Sequence, residues 1–407
     1  MRKKLAASAV MLAGLLMFSA CAGAGEEEDD RVLTEAPLAA MDDYDNFGTM
    51  TRWVYVREQT SDASAIWDRL TQSSESVESH VSSERTESDI SRFNAAKAGE
   101  RVAIAEETYR MLVAARTVYE ETDGKYNPAT GLLVDLWGFT PRHRKANYKP
   151  ETDYDRALYA EELPAEKYIT AFSSEAVLDF SAVEMGQDGD GYYAVKPETA
   201  SVTVENAAGE AIEYTMQLNF SGIGKGYSAD CAQEILRDAG QEYGYYSLGG
   251  SSMVLLADPT RQGGVWEIGV NAPRNLSGKT SYASIRARDI VLSTSGDYEQ
   301  YYEIGDRRYC HIVDPATGYP IGASPVQDGS HVVCATVVGG RAAEGDARAT
   351  ALCCMGLDEA LNYCRANADV FRVLLVWYDA AEDTYTAYSN LKDWPLTESV
   401  MQTEEIA

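Results

Sequence analysis

The chain has 407 residues, with 64 Asp and Glu against 35 Lys and Arg, so its formal charge is −29. Hydrophobic residues make up 45% and aromatics 10%, too many for a disordered chain and enough for a sizeable core. Such an acidic excess excludes a nucleic-acid backbone as partner, because phosphates are repelled; cations, or anions bridged by a metal, are the readier ligands, and plain solubility is the alternative reading.

Arg2, Lys3 and Lys4 precede an uncharged run from Leu5 to Ala20. That run is short for a membrane span and has no stop-transfer flank, so residues 1–20 read as a signal peptide. Phe18, Ser19, Ala20 and Cys21 resemble a bacterial lipobox, in which Cys21 is lipidated and becomes the N-terminus. The alternative is ordinary cleavage near Ala20. The expected location is the cell membrane, lipid-anchored, on the extracytoplasmic face. Residues 21–46 contain the block Glu26–Asp30 and no periodicity, and read as an acidic flexible tether. The seven cysteines form no CxxC pair, which disfavours a zinc ribbon or thioredoxin motif. Cys231, Cys353 and Cys354 lie in apolar helical contexts, and mostly buried thiols are expected.

Alternation predicts a strand over 51–57. Helical spacing predicts helices over 61–79, through Ala65, Ile66 and Leu70, and over 104–121, through Met111, Leu112, Ala115, Val118 and Tyr119. Residues 141–217 carry the least pattern, with insert-like stretches at Arg142–Asp155 and Gly186–Gly209. A helix is predicted over 228–239. Strands are predicted at 265–271, 282–293, 307–313 and 332–338. Helices over 344–355 and 358–366 follow, then a hairpin of 372–378 with 384–389. Interleaved strands and helices without an internal repeat indicate an α+β fold.

Four constellations bear on chemistry. Leu218–Asp230 runs from a strand end through Gly222, Gly224 and Gly226 into a helix. It is either a structural glycine turn or a place where backbone and Lys225 meet an anion. His311 stands at the end of a strand, before the Asp314-Pro315 turn. It is either a general base near neutral pH or a histidine bonded to backbone. Asp346 and Thr350 are i and i+4 on one helix. They read as a hard-oxygen set suited to Mg²⁺, or Asp346 simply answers the helix dipole. As a helix-surface residue, Asp346 is expected to contribute little to the core. Gly124–Phe139 offers Tyr126 as a stacking ring, or a turn followed by core packing.

In their order, these segments resemble the ApbE-type flavin transferases, FAD:protein FMN transferase. The resemblance runs through Phe47–Thr49, Ser88–Asn94, Gly124–Phe139, Ser221–Asp230, Leu248–Gly250, Ser295–Tyr298, His311–Pro320 and Asp346–Thr350, nearly all of the chain past the tether. It implies a single large domain of mixed and antiparallel sheets with flanking helices over 47–395, and a tail over 396–407. It implies an exported bacterial enzyme that splits FAD with Mg²⁺, releases AMP, and joins FMN through a phosphoester to a Thr or Ser of an exported or membrane-bound acceptor protein. Carried over by position, Asp346, Thr350 and the Gly222 carbonyl are metal ligands. His311 lies beside the reacting phosphate. Phe47, Lys125, Tyr126, Asn127, Asn219, Lys225 and Ile312 fall where FAD contacts are expected. Asn127 and Asn219 replace the usual Asp, and Ser251-Ser252 follows Gly250 where Asp-Ile is common. These departures leave two further readings: a non-catalytic FAD-binding lipoprotein, and a Mg²⁺-dependent FAD pyrophosphatase giving FMN and AMP.

Overall fold

The computed structural model describes residues 38–44, 46–83, 85–140, 143, 162–274, 281–391 and 401–406. The leader, Cys21, most of the expected tether and, apart from His143, the stretch 142–155 lie outside the described residues.

The described chain opens with β1 (Leu38–Asp43), antiparallel to β2 (Thr51–Val56). β1 falls inside the expected tether. It is an edge strand held by backbone bonds to β2, and its side chains stay exposed or half-buried, so no hydrophobic pattern marks it. Next come α1 (Ala63–Val81), α2 (Asp89–Ala95), β3 (Arg101–Ile104) and α3 (Glu106–Glu121). α1 buries Ile66 and Leu70 as their spacing predicts, and Val77 as well, while Ala65 stays exposed; α3 buries Met111, Leu112, Ala115 and Val118 and leaves Tyr119 half-buried. Three short helices follow: α4 (Gly131–Leu136), α5 (Glu166–Phe172) and α6 (Glu175–Leu178).

The weakly patterned region resolves into two hairpins, β4 (Glu184–Asp188) with β5 (Gly191–Val195) and β6 (Ser201–Glu205) with β7 (Ala211–Thr215). Their faces are largely half-exposed, which blurs alternation. α7 (Gly224–Asp238) starts four residues before the expected position 228. Two glycines in its first turn argue against a helix by propensity; tertiary capping overrides them. After β8 (Tyr245–Leu248), β9 (Ser252–Leu255) and β10 (Trp266–Asn271), the single strand expected over 282–293 is two. β11 (Ser281–Ala287) and β12 (Ile290–Gly296) are separated at Arg288 and Asp289, where Asp289 takes a φ of 52°. The chain continues with β13 (Tyr301–Ile304), β14 (Arg307–Cys310), β15 (His331–Val338), α8 (Ala342–Cys353), α9 (Leu357–Ala366), β16 (Arg372–Asp379), β17 (Thr384–Ser389) and β18 (Gln402–Glu405). β18, inside the expected tail, runs parallel to β17.

The fold is α+β. Its centre is a nine-stranded sheet in the order β1-β2-β8-β9-β12-β15-β16-β17-β18, antiparallel except for its last pair. Helices α1, α7 and α8 cover one face, and the β10–β11 ribbon packs on the other. β15 is therefore buried at every position: Ala335 and Val337 face the helices, Cys334 and Val338 the ribbon. A further apolar cluster ties Leu133, Trp137 and Phe172 to Tyr309 of β14. The six described cysteines are free thiols, five of them buried.

Candidate active site

The site begins where α7 and α8 cap one another. The first amides of a helix have no partner inside it. The Asp230 carboxylate of α7 accepts from Ala342 N at 2.8 Å and Ala343 N at 3.1 Å, at the start of α8. In return Asp346 Oδ2 of α8 accepts from Gly226 N, in the first turn of α7, at 3.1 Å. This brings the helices so close that a Cβ on Gly226 would lie 2.2 Å from the Ala342 carbonyl oxygen and 2.8 Å from Asp346 Cβ. Only glycine fits there. Asp346 is thus buried, not a surface residue of its helix, and burial raises its carboxyl, an effect that Lys225 and the Gly226 amide partly offset.

One turn further along α8, Thr350 Oγ1 lies 3.0 Å from Ser295 Oγ and 3.1 Å from the Asp346 carbonyl oxygen. It also faces Gly222: a Cβ there would sit 3.1 Å from Thr350 Oγ1 and 3.5 Å from the edge of the Tyr126 ring. Tyr126 is buried, its hydroxyl has no hydrogen-bond partner among the described residues, and it lies within electrostatic reach of Asp346. The ring therefore packs against Gly222 inside the core and is not presented as an open stacking platform.

Phe47, in the left-handed region at φ 53°, lays its ring against the start of α7, 3.2 Å from where a Gly224 Cβ would stand. The turn that carries it meets a distant motif: Gly249 N donates to Met50 O at 2.8 Å. Lys225 acts on two carboxylates, lowering those of both Asp346 and Glu299 against the upward push of their burial. Glu299 ends the segment whose residues Ser295–Tyr298 carry part of the resemblance, and the sequence alone assigns it no role; the structure sets it within electrostatic reach of Lys225.

His311 follows β14 directly. Its backbone N–H donates to the Gln300 carbonyl at 3.0 Å, and its ring Nδ1 lies 3.3 Å from the same oxygen. A carbonyl only accepts, so this contact is a hydrogen bond in the tautomer that carries its proton on Nδ1. Phe139 meets the imidazole edge-on at 6.4 Å, and stacks on Tyr302 at 5.4 Å. The Asp314 turn below is closed by Gly318 N on Asp314 O at 2.8 Å and by Ala316 N on its carboxylate at 3.0 Å. Gln300, which holds His311, is the residue after Glu299, whose carboxylate feels Lys225.

The other expected contacts have local partners. Lys125 pairs with Glu359 at 3.4 Å. Ile312 is buried in the helix-side core and accepts from Ile321 N at 3.0 Å. Asn127 Nδ2 donates to Leu178 O, and its Oδ1 accepts from Ala129 N, both at 2.8 Å. An ionised Asp could not make the first bond, which gives this replacement a local reason. Asn219 Oδ1 accepts from Ser221 N at 2.8 Å and so shapes the turn into Gly222, a bond that Asp makes equally well. Gly222, Thr350, Tyr126, Asp346, Lys225 and Phe47 are brought together; Lys125 and Asn127 turn to their own partners.

The chain is similar to known proteins. A model of the ApbE family matches residues 47–375. An FAD:protein FMN transferase of Vibrio cholerae is 26% identical over 359 residues, covering 88% of this chain and 90% of its own length. The FAD:protein FMN transferase of Salmonella typhimurium is 23% identical over 357 residues, covering 88% and 89%. Among solved structures, the flavin transferase ApbE from Vibrio cholerae aligns with a TM-score of 0.64 at 23% identity, over 87% of this chain and 97% of the other. The ApbE protein from Thermotoga maritima aligns with a TM-score of 0.66 at 22% identity, over 86% and 96%. The fold is the same in both.

Proposed function

We propose that this chain, which belongs to the ApbE family, is an FAD:protein FMN transferase that splits FAD, joins FMN by a phosphoester to a Thr or Ser of an acceptor protein, and releases AMP. The observation that carries the reading is a pair of hard oxygens one turn apart on α8: the buried Asp346 carboxylate, bonded to the Gly226 amide and only partly offset by Lys225, and the Thr350 hydroxyl facing the Gly222 backbone. Carboxylate, hydroxyl and carbonyl are hard donors bearing one charge. They suit Mg²⁺, which keeps waters and shares substrate phosphates. Asp346, Thr350 and the Gly222 carbonyl would hold Mg²⁺, which would polarise phosphate oxygens and offset their charge. This accounts for an anionic substrate on so acidic a protein.

The chain's own residues divide the remaining work. The turn Asn219–Gly222 and the first turn of α7 let backbone approach the pyrophosphate, and Lys225 adds a positive charge beside it. Phe47 covers the start of α7. His311 Nε2 takes the proton from the acceptor hydroxyl as that oxygen bonds to phosphorus; the bond from phosphorus to the AMP oxygen breaks, and the proton passes on to solvent. The Gln300 carbonyl keeps the imidazole in the required tautomer. The leader and lipobox pattern support a protein held by lipidated Cys21 on the extracytoplasmic face of the cell membrane, where it meets exported or membrane-bound acceptors. Purified protein given FAD, Mg²⁺ and an acceptor peptide tests the reading: covalent flavin on the peptide supports it, free FMN makes the protein a pyrophosphatase, and intact FAD makes it a binding protein.

A further inference from the structure

Lys196, just past β5, is wholly buried, and among the described residues no carboxylate pairs with its ammonium. Nζ donates to the Asn94 carbonyl at 2.8 Å and to Thr215 Oγ1 at 3.2 Å, and stands 5.4 Å from the centre of the Phe93 ring. Leaving a charge inside a fold with only neutral acceptors is costly, and hydrophobic residues fill such positions more cheaply. Its partner shows what the charge holds. The Asn94 side chain grips both backbone groups of Leu218: Leu218 N donates to Oδ1 at 2.7 Å, and Nδ2 donates to Leu218 O at 3.0 Å. The next residue, Asn219, begins the turn that ends at Gly222. We propose that Lys196 is a positioning residue for this turn, fixing Asn94 and through it the backbone that offers Gly222 to the flavin dinucleotide. The inference rests on the flavin reading of the site.

Lys196 follows the β4–β5 hairpin, and its ammonium reaches the turn by two routes, through the Asn94 carbonyl and through Thr215, three residues before Leu218. Burial lowers its ammonium to about 8. Of the charged groups on the surrounding elements, Glu100 in the turn ahead of β3 acts on it, in the direction that keeps it charged. Asp89 and Arg92 of α2 satisfy each other at 2.6 Å; Lys97 and Glu198 flank the same turn, and Glu213 lies on β7. The charged donor is therefore present below about pH 8 and is lost as pH rises through that value.

The test measures FAD affinity by flavin fluorescence on the full chain from pH 6.5 to 9.5, with melting temperature alongside, for wild type, Lys196→Met, Lys196→Gln and Thr215→Val. Wild type is expected to lose affinity about tenfold across pH 8, the worth of about one charge-assisted hydrogen bond. Lys196→Met and Lys196→Gln should bind about tenfold more weakly at pH 7, with a flat pH profile, and Thr215→Val should fall between. A purely structural lysine predicts lower melting temperatures with unchanged affinity and pH profile, and that result overturns the proposal. If Lys196→Met fails to fold, the Gln and Val variants and the wild-type profile still decide: a wild type flat from pH 7 to 9 overturns it. A wild type that binds no FAD at any pH refutes the flavin reading itself.

Discussion

Asp346 does two jobs, and two substitutions separate them. In Asp346→Asn the amide oxygen still accepts from Gly226 N–H and only the charge is lost. In Asp346→Ala the acceptor is lost as well, and a buried amide in the first turn of α7 is left unpaired, at a cost of about 1–3 kcal/mol. The charge itself works against the metal-free fold. Burial raises the carboxyl above its ordinary 3.8, so the folded chain holds that proton more readily than the unfolded one. Its contribution to stability is fully present below the unfolded value and is lost as pH rises through the folded one. At pH 7 in EDTA, Asp346→Asn should therefore melt at or above wild type. Asp346→Ala should melt below Asp346→Asn, by roughly 2 °C per kcal/mol in a chain of this size. Lowering the pH toward 4 should narrow the gap between wild type and Asp346→Asn. Both variants should lose Mg²⁺-dependent transfer. Scanning calorimetry and flavin transfer on the same preparations make the test. An Asn variant with full transfer, or an Ala variant as stable as the Asn variant, refutes the double role.

His311→Ala should cut turnover about 10²–10⁴-fold while FAD affinity and melting temperature hold; early melting with lost binding would return His311 to a structural role. Gly226→Ala puts a Cβ 2.2 Å from a backbone oxygen that cannot move aside; it should cost about 1–3 kcal/mol and abolish transfer. Gly356→Ala, with open space around it, should stay within about 0.5 kcal/mol of wild type; calorimetry compares the two. Cys21→Ala should move the protein from the detergent phase to the aqueous phase, and equal partitioning of mutant and wild type would remove the lipid anchor.

Periodic elements were legible in the chain because burial imposes the period: Met111 to Val118 and the run 372–378 stand where spacing puts them. Asp346 and Thr350 were legible as a pair because i and i+4 share a helix face. What hid was whatever depends on a distant partner. β1 forms only because β2 is there to pair with it. The first turn of α7 is helical because Asp346, 120 residues away, caps it. The break at Asp289 came in a run apolar enough to pass for one strand. The burial of Asp346 and the hold of Lys196 on Asn94 are likewise properties of the packed chain, which no spacing encodes.

The central claim is that this chain moves FMN from FAD to a hydroxyl of another protein. The most direct measurement is mass spectrometry of a Thr-bearing acceptor peptide after incubation with the protein, FAD and Mg²⁺, with AMP followed in parallel. The account predicts a peptide heavier by one FMN less water and one AMP released for each adduct, both abolished in Asp346→Ala and both slowed about 10²–10⁴-fold in His311→Ala. An unmodified peptide, with FAD intact or with FMN and AMP free in solution, contradicts it.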